Sequence, residues 1–143
     1  MNGLTSVMIC LSLWFALGAC NSSSTGEELA KRPEGLLLYP GAEITQPLRI
    51  YNATDFDPVS GATKLFVTTD SPEQVFAFYT EELRARGWSG PTKHPNPIIL
   101  PQYSWQKGKL GFLLVQIDEK DSAPEFTRPG MFLFSQTLGQ GRK

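Results

Sequence analysis

The clearest pattern of apolar and polar positions lies in residues 70–88, DSPEQVFAFYTEELRARGW. Val75, Tyr79 and Leu83 recur at spacings of four, and two phenylalanines beside them widen the apolar stripe. Charged residues occupy the remaining positions, which is the pattern of an amphipathic helix that buries one face. The segment therefore predicts one long helix.

Both ends of this segment carry helix-boundary signals. Ser71 and Gln74 have the spacing of a capping box, and Pro72 stands at the first helical position, where its missing N–H group is not needed. Gly87 provides a residue that readily adopts the left-handed conformation found after many helices. The helix is therefore expected to begin after Ser71 and to end before Gly87.

Shorter segments have the two-residue alternation or the apolar runs that are typical of strands. They are residues 48–52, 64–69, 103–106, 110–118 and 131–138. Gly108 lies between the third and fourth of these segments, so they are expected to form a hairpin. The stretch 91–101 contains four prolines and is expected to be an extended loop.

The order of these elements predicts the fold class. Strands lie before and after a single long helix, and no second helix is present to make crossover connections between parallel strands. We therefore expect an α+β fold in which an antiparallel sheet of about five strands is covered on one face by a single long helix. Residues 36–143 are long enough to form this as one domain.

The amino-terminal apolar run has a different character. Residues 1–26 contain no charged side chain, and Leu4 to Leu17 is apolar apart from one threonine and two serines. This run is the length of a signal-peptide core and is short of the roughly 20 residues that span a bilayer. It is followed by Gly18, Ala19 and Cys20. An uncleaved membrane anchor and an ordinary secretory signal are alternative interpretations.

The sequence Leu-Gly-Ala-Cys at residues 17–20 resembles the lipobox of bacterial lipoproteins. The resemblance implies a signal peptide over residues 1–19, cleavage between Ala19 and Cys20, and a diacylglyceryl group on the Cys20 thiol. The protein would then be anchored by lipid on the exported side of a bacterial membrane. That would be the outer membrane in a Gram-negative cell and otherwise the outer face of the plasma membrane.

Cleavage at this place would also remove Cys10 and leave Cys20 as the one cysteine of the mature chain, so no internal disulfide is expected. Residues 20–35 are polar and small, with one apolar side chain larger than alanine, which favours a flexible linker. The expected organisation is thus a signal peptide, a lipidated cysteine with its linker, and a single domain over residues 36–143.

The charge of the chain is nearly balanced, with 13 basic and 14 acidic residues that are interspersed. Because nucleic-acid binding depends on clustered positive charge, this composition argues against a nucleic-acid partner. The expected partners are the membrane, through the lipid on Cys20, and a protein of the cell envelope.

Residues with chemical potential do not form a recognisable catalytic or metal-binding constellation. His94 is the only histidine, and no serine lies in a GxSxG elbow. Asp55 and Asp57 match the start of a calcium loop, but Val59 occupies the third ligand position and the terminal glutamate is missing. We therefore expect no catalytic residue, no metal and no cofactor.

The segment after His94 carries the candidate contact residues. Three large apolar residues lie between two prolines, and two aromatic residues follow closely: Ile98, Ile99, Leu100, Tyr103 and Trp105. They either fold over the core or form an exposed patch that contacts a partner or ligand. A pocket between the helix and the sheet is the alternative ligand site. Its expected lining comprises Phe76, Phe78, Phe112, Phe132 or Trp105.

A second resemblance covers roughly residues 36–90. YPGA at residues 39–42, followed by DSPEQVFAFY and a terminal Gly87-Trp88, resembles a pattern in small uncharacterised bacterial lipoproteins. The resemblance implies structural motifs and no activity. The sequence therefore favours a non-enzymatic lipoprotein that serves as a binding or accessory subunit of an envelope or membrane complex, with a small-ligand-binding lipoprotein as the alternative.

Overall fold

The computed structural model describes residues 24–54, 59–94, 101–117 and 130–141. Within these ranges, six strands form one sheet. The strands are β1 (Glu43–Tyr51), β2 (Val59–Thr68), β3 (Ser89–His94), β4 (Gln102–Lys107), β5 (Leu110–Ile117) and β6 (Phe132–Gly141). The helices are α1 (Gly26–Lys31), α2 (Pro33–Leu36) and α3 (Pro72–Ala85).

The strand order in the sheet is β1-β2-β6-β5-β4-β3, and every pairing is antiparallel. The last strand of the chain, β6, therefore lies at the centre between β2 and β5. The two edges are β1 and β3. The hairpin between β4 and β5 is confirmed, since Lys107 and Leu110 are partners and Gly108 has a φ of 60°.

The predicted fold class is wrong. The described chain is mostly antiparallel sheet, with six strands instead of about five, and it contains three helices instead of one. Among the helices of the described ranges, only α3, with 14 residues, is longer than six residues. The strand that the sequence did not reveal is β3, because Pro91 lies within it. An edge strand tolerates proline, since one side of its backbone needs no partner in the sheet.

The carboxy-terminal part of the expected linker is also folded. Helices α1 and α2 occupy residues 26–36, and Thr25 forms a capping box with Glu28. The composition suggested a flexible chain because Leu29 is its one large apolar side chain. However, Leu29 is fully buried in the core, and this anchor together with the helix cap holds the segment against the sheet.

The predicted limits of α3 are confirmed. Ser71 and Gln74 form the expected capping box, and Pro72 is the first helical residue. Gly87 has a φ of 79°, and the amide of Trp88 donates to the carbonyl of Leu83 at 3.0 Å. These bonds satisfy backbone groups that a helix end would otherwise leave unpaired.

The core lies between α3 and one face of the sheet and is built mainly from aromatic rings. Phe66 on β2 stacks on Phe134 on β6 at a centroid distance of 5.3 Å, and Tyr79 of α3 lies 5.6 Å from Phe112 on β5. Full burial of one such side chain contributes roughly 1.5–3 kcal/mol. The contacts therefore fix α3 on the central strands.

None of the helices in the described ranges has both the length and the apolar character needed to cross a membrane. Residues 1–23, which include Ala19 and Cys20, lie outside the described residues. The signal peptide and the lipid attachment therefore stay predictions.

Candidate ligand-binding site

Side chains alternate between the two faces of the sheet, so each face has its own chemistry. On β6, Phe134 and Leu138 face the core under α3, and Gln136 lies between them on the same inner face. Thr137 and Gly139 lie on the other face, which we call the outer face. Helices α1 and α3 lie on the inner face, because they contribute buried residues to its core. Helix α2 reaches the same core through the bond between Glu34 and Trp88.

A groove of about 430 Å³ lies on the outer face at one end of the sheet. This volume is within the usual range of roughly 300–1,000 Å³ for small-ligand sites. Its lining comes from strands β1, β2, β4, β5 and β6. Prominent among the lining residues are Tyr51, Val59, Ser104, Gln106, Lys109, Gly111, Leu113, Thr137, Gly139 and Gly141.

Three glycines lie in cross-strand register on the outer face, and two of them line the groove. Gly61 on β2 pairs with Gly139 on β6, which pairs with Gly111 on β5. We call these three residues the glycine row. Because none of them has a side chain, the outer face is lower here than along the rest of these strands.

The two ends of the glycine row differ. The phenol of Tyr51 lies directly over Gly61 and occupies the space that a β-carbon would need. At Gly111, no heavy atom lies within 4 Å of the position that a β-carbon would take. Gly111 has no positive φ either, so neither crowding nor backbone conformation requires glycine there. The floor of the groove is therefore open at Gly111.

Polar groups lie along the side of the groove formed by β4. Ser104 Oγ is 2.7 Å from His94 Nε2 on the neighbouring strand β3, within hydrogen-bonding distance. Sequence reasoning did not connect these residues, because β3 was expected to be a loop. A hydroxyl beside an imidazole can form hydrogen bonds with a polar group of a ligand. No cluster of three His, Cys, Asp or Glu side chains suited to a metal exists among the described residues.

The inner face carries a buried polar cluster. Tyr79 donates a 2.7 Å hydrogen bond to Gln136 Oε1, and Gln136 Nε2 donates to the carbonyl of Leu37 at 2.9 Å. Lys64 Nζ donates to the same carbonyl at 3.0 Å. Burial raises the pKa of the Tyr79 phenol and lowers the pKa of the Lys64 ammonium, because both charged forms lose hydration there.

A carboxylate of α2 also enters the core. Glu34 is 7% exposed, and its Oε1 accepts a 3.2 Å hydrogen bond from Trp88 Nε1. Lys107 Nζ lies 3.9 Å from the same oxygen. Because a buried carboxylate requires such partners, Glu34 ties α2 to the end of α3 and to the β4–β5 turn.

Of the described contact residues of the predicted patch, Trp105 belongs to the core and Tyr103 packs against it. Tyr103 packs on Phe76 with a centroid distance of 4.1 Å, and Trp105 is 1% exposed. Trp105 is thus not available as an exposed contact, whereas Tyr103 is half-buried at the edge of the core. Ile98, Ile99 and Leu100 lie outside the described residues, and their part of the patch stays a prediction.

The expected pocket between helix and sheet is filled by the rings that were expected to line it. Phe112 is fully buried and lies 5.8 Å from the ring of Trp105. Phe78 and Phe132 pack against the same core. The groove lies on the opposite face of the sheet, where the glycines leave space, and no periodic apolar signal marks it.

Comparison with protein families matches residues 51–122 to a family described as START domain-like. The match covers about half of the chain and runs from the end of β1 past the end of β5. No curated protein matches the chain, and no solved structure does.

Proposed function

The chain belongs to the START domain-like family, and from this premise we propose that its domain binds a small ligand in the groove on the outer face. Membership in this family is compatible with a ligand-binding domain. The observation that carries the proposal is the open floor at Gly111, where nothing lies within 4 Å of the missing side chain. A glycine inside a strand costs stability, so this position is better explained by close approach of a ligand than by the needs of the fold.

The lining of the groove favours a largely apolar ligand with a polar group at one side. The α-carbons of Gly111 and Gly139, the ring of Tyr51 and the side chain of Leu113 offer apolar contact. Ser104 and Gln106 on β4 offer hydrogen bonds, and these would fix the orientation of the ligand.

The proposed activity is binding without catalysis. His94 and Ser104 form a pair, but no third group among the described hydrogen bonds orients the imidazole. A serine nucleophile needs a base that is itself held in place. The pair is therefore assigned to ligand contact.

We propose, from the Leu-Gly-Ala-Cys sequence, that the domain is held at a membrane by lipid on Cys20. The fold changes what this anchor would do. Because the folded body begins by Thr25, whose side chain caps α1, about four or five residues would separate lipid and domain. That distance is at most about 18 Å when fully extended. The domain would then lie nearer the headgroups than a linker through residue 35 would place it.

A titration with an apolar fluorescent probe tests the groove. Purified protein is titrated with anilinonaphthalene sulfonate, and amide chemical shifts locate the bound probe. Gly111→Val fills the open floor with a side chain that is favourable in a strand. It should therefore weaken probe binding by about tenfold, equivalent to about 1.4 kcal/mol. Gln102→Val is the matched control, because Gln102 on β4 also lies on the outer face of the sheet but does not line the groove. Equal binding by both variants would contradict the proposal.

A second candidate function is binding of an envelope protein, and the edge strand β1 favours it. Ile44, Leu48 and Ile50 are 52%, 44% and 43% exposed on this edge, where a partner could add a strand or pack its own apolar residues. Affinity purification of the lipidated protein in mild detergent tests this candidate. Loss of a co-purified protein in an Ile44→Lys variant would support it, and recovery of the protein alone at native abundance would contradict it.

A further inference from the structure

One backbone oxygen on the inner face is bound by two buried side chains. The carbonyl of Leu37 accepts from Lys64 Nζ at 3.0 Å and from Gln136 Nε2 at 2.9 Å. Lys64 and Gln136 are direct partners on the central strands β2 and β6. Tyr79 of α3 donates to the amide oxygen of Gln136, which leaves the amide nitrogen directed at the Leu37 carbonyl and, at 3.4 Å, at the Glu34 carbonyl. Strands β2 and β6 thus each supply one donor to a single acceptor oxygen, and α3 orients one of these donors.

No described ion pair balances the positive charge of the Lys64 ammonium. Lys64 is 9% exposed and Gln136 is 2% exposed. Among the described residues, the ion pairs are Arg86–Glu82 and Lys107–Glu34, and neither reaches Lys64. A buried ammonium that faces a neutral carbonyl has lost water without gaining an opposite charge. A carboxylate would form a shorter and stronger charge-assisted bond with the same two donors.

The segment that supplies the Leu37 carbonyl packs against the sheet but forms no strand of it. Residues 24–37, which we call the N-terminal segment, contain the six-residue α1 and the four-residue α2. Helices this short are not stable alone, so contact with the inner face holds them. No strand includes any residue of this segment, and its departure would leave all six described strands paired.

We propose that Lys64 and Gln136 form a binding site for a carboxylate carried on an apolar body, and that the N-terminal segment occupies this site in the absence of ligand. The Leu37 carbonyl takes the place of a ligand oxygen. Leu29, which is fully buried, takes the place of the apolar body. A ligand must displace the segment, so its apparent affinity is reduced by the fraction of time that the segment is bound. This site lies on the opposite face of the sheet from the groove. The proposal therefore does not depend on the ligand-binding function proposed for the groove.

Octanoate is the probe, and octan-1-ol is its uncharged match. With the wild-type full-length protein, octanoate should increase the hydrogen-exchange rate of the amides in residues 26–36 and leave the β2 and β6 amides protected. Octan-1-ol should not do so. Equal effects of the two compounds, or no change at residues 26–36, would overturn the proposal.

A glycine substitution displaces the segment without altering the sheet face. A β-carbon at Gly26 would lie 2.5 Å from the Tyr51 carbonyl and 2.6 Å from the Gly61 carbonyl, and backbone atoms cannot easily move aside. Gly26→Ala should therefore release α1 and tighten octanoate binding by about tenfold. Glu27→Ala is the matched control, since this side chain is exposed on the same helix α1, and it should bind octanoate as the wild type does.

Lys64→Met in the Gly26→Ala background should abolish the preference for octanoate over octan-1-ol. A retained preference would show that Lys64 is not the carboxylate ligand and would overturn the proposal. Global unfolding of Gly26→Ala in one transition would show that the segment is integral to the fold, with the same consequence. Gly111→Val tests the groove separately, because Gly111 lies on the opposite face of the sheet and its substitution should leave the octanoate-induced hydrogen exchange of residues 26–36 unchanged.

Discussion

The phenol of Tyr79 on α3 donates a 2.7 Å hydrogen bond to the side-chain carbonyl of Gln136 at the centre of the sheet. Tyr79 is fully buried and Gln136 is 2% exposed, so this bond forms in a medium without competing water. It connects α3 to the central strand β6. It also orients the amide that binds the N-terminal segment.

Removal of this hydroxyl should destabilise the domain. Tyr79→Phe leaves the ring in place but takes the donor from Gln136 Oε1, at a cost of about 1–3 kcal/mol in the free energy of unfolding. Urea denaturation measures this cost. A double-mutant cycle with Gln136→Leu should give a coupling energy of about 0.5–1.5 kcal/mol. Additive effects of the two substitutions would show that the bond contributes nothing of its own.

The two capping boxes should differ in their effect on stability. Ser71→Ala removes the cap of α3, which packs on the whole sheet, and should lower the free energy of unfolding by about 1 kcal/mol. Thr25→Ala removes the same kind of cap from α1. Because α1 is in a segment outside the sheet, Thr25→Ala should raise hydrogen exchange locally with little effect on global unfolding. Equal losses of global stability would contradict this difference.

The glycine row should tolerate substitution unequally. Gly61→Ala forces a methyl group against the phenol of Tyr51 and to 2.9 Å from the Leu138 carbonyl, so we expect a loss of about 1–3 kcal/mol. Gly139→Ala has its nearest contact at 3.5 Å, with the Ser60 carbonyl, and should be nearly neutral. Thermal unfolding of the two variants gives the comparison. Similar melting temperatures would show that Tyr51 moves aside freely.

Stability should fall steeply in strong alkali. Burial holds the pKa of Tyr79 above its ordinary value of 10.0, so its neutral form is favoured by the fold. The hydrogen bond to Asp70, together with burial, raises the pKa of Tyr39 in the same direction. Their contributions are complete below pH 10 and are lost above it, because the unfolded chain then releases protons more readily. Tyr79→Phe should lessen this fall in urea titrations.

The titration of Lys64 should affect the pH dependence of stability in the opposite direction from that of Tyr79. Burial lowers its pKa below the ordinary value of 10.5. Between these two values the unfolded chain binds more protons than the folded chain, so stability should increase with pH there. Lys64→Met should remove this increase while leaving the fall that arises from Tyr79. An unchanged pH profile would show that Lys64 is well solvated.

The mature amino terminus tests the anchor. If the predicted signal is cleaved and lipid is added, mass spectrometry of the purified native protein should find a chain that begins at Cys20 and carries the additional mass of acyl chains. Cys20→Ser should abolish both the added mass and membrane association. A native chain that begins at Met1, or a free thiol at Cys20 after export, would remove the basis for the proposed location.

Local signals in the sequence determined several elements correctly. Ser71, Pro72 and Gly87 fix the ends of α3 because capping and left-handed backbone depend on residues within a few positions of one another. The turn at Gly108 follows from the same local chemistry. The periodicity of Val75, Tyr79 and Leu83 identified the buried face of α3, since a helix that packs on one side must be apolar on that side.

Tertiary structure decided the rest, because it depends on contacts between residues that are distant in the chain. Pro91 concealed β3 until its place at the sheet edge was known, and Leu29 gave no sign in the sequence that the core would bury it. Gly61, Gly139 and Gly111 are far apart in the sequence and form one row only through strand register. For the same reason the meeting of Lys64, Gln136 and the Leu37 carbonyl is a property of the fold. Sequence patterns report which groups a segment carries, whereas pairing across the sheet determines which of these groups share one site.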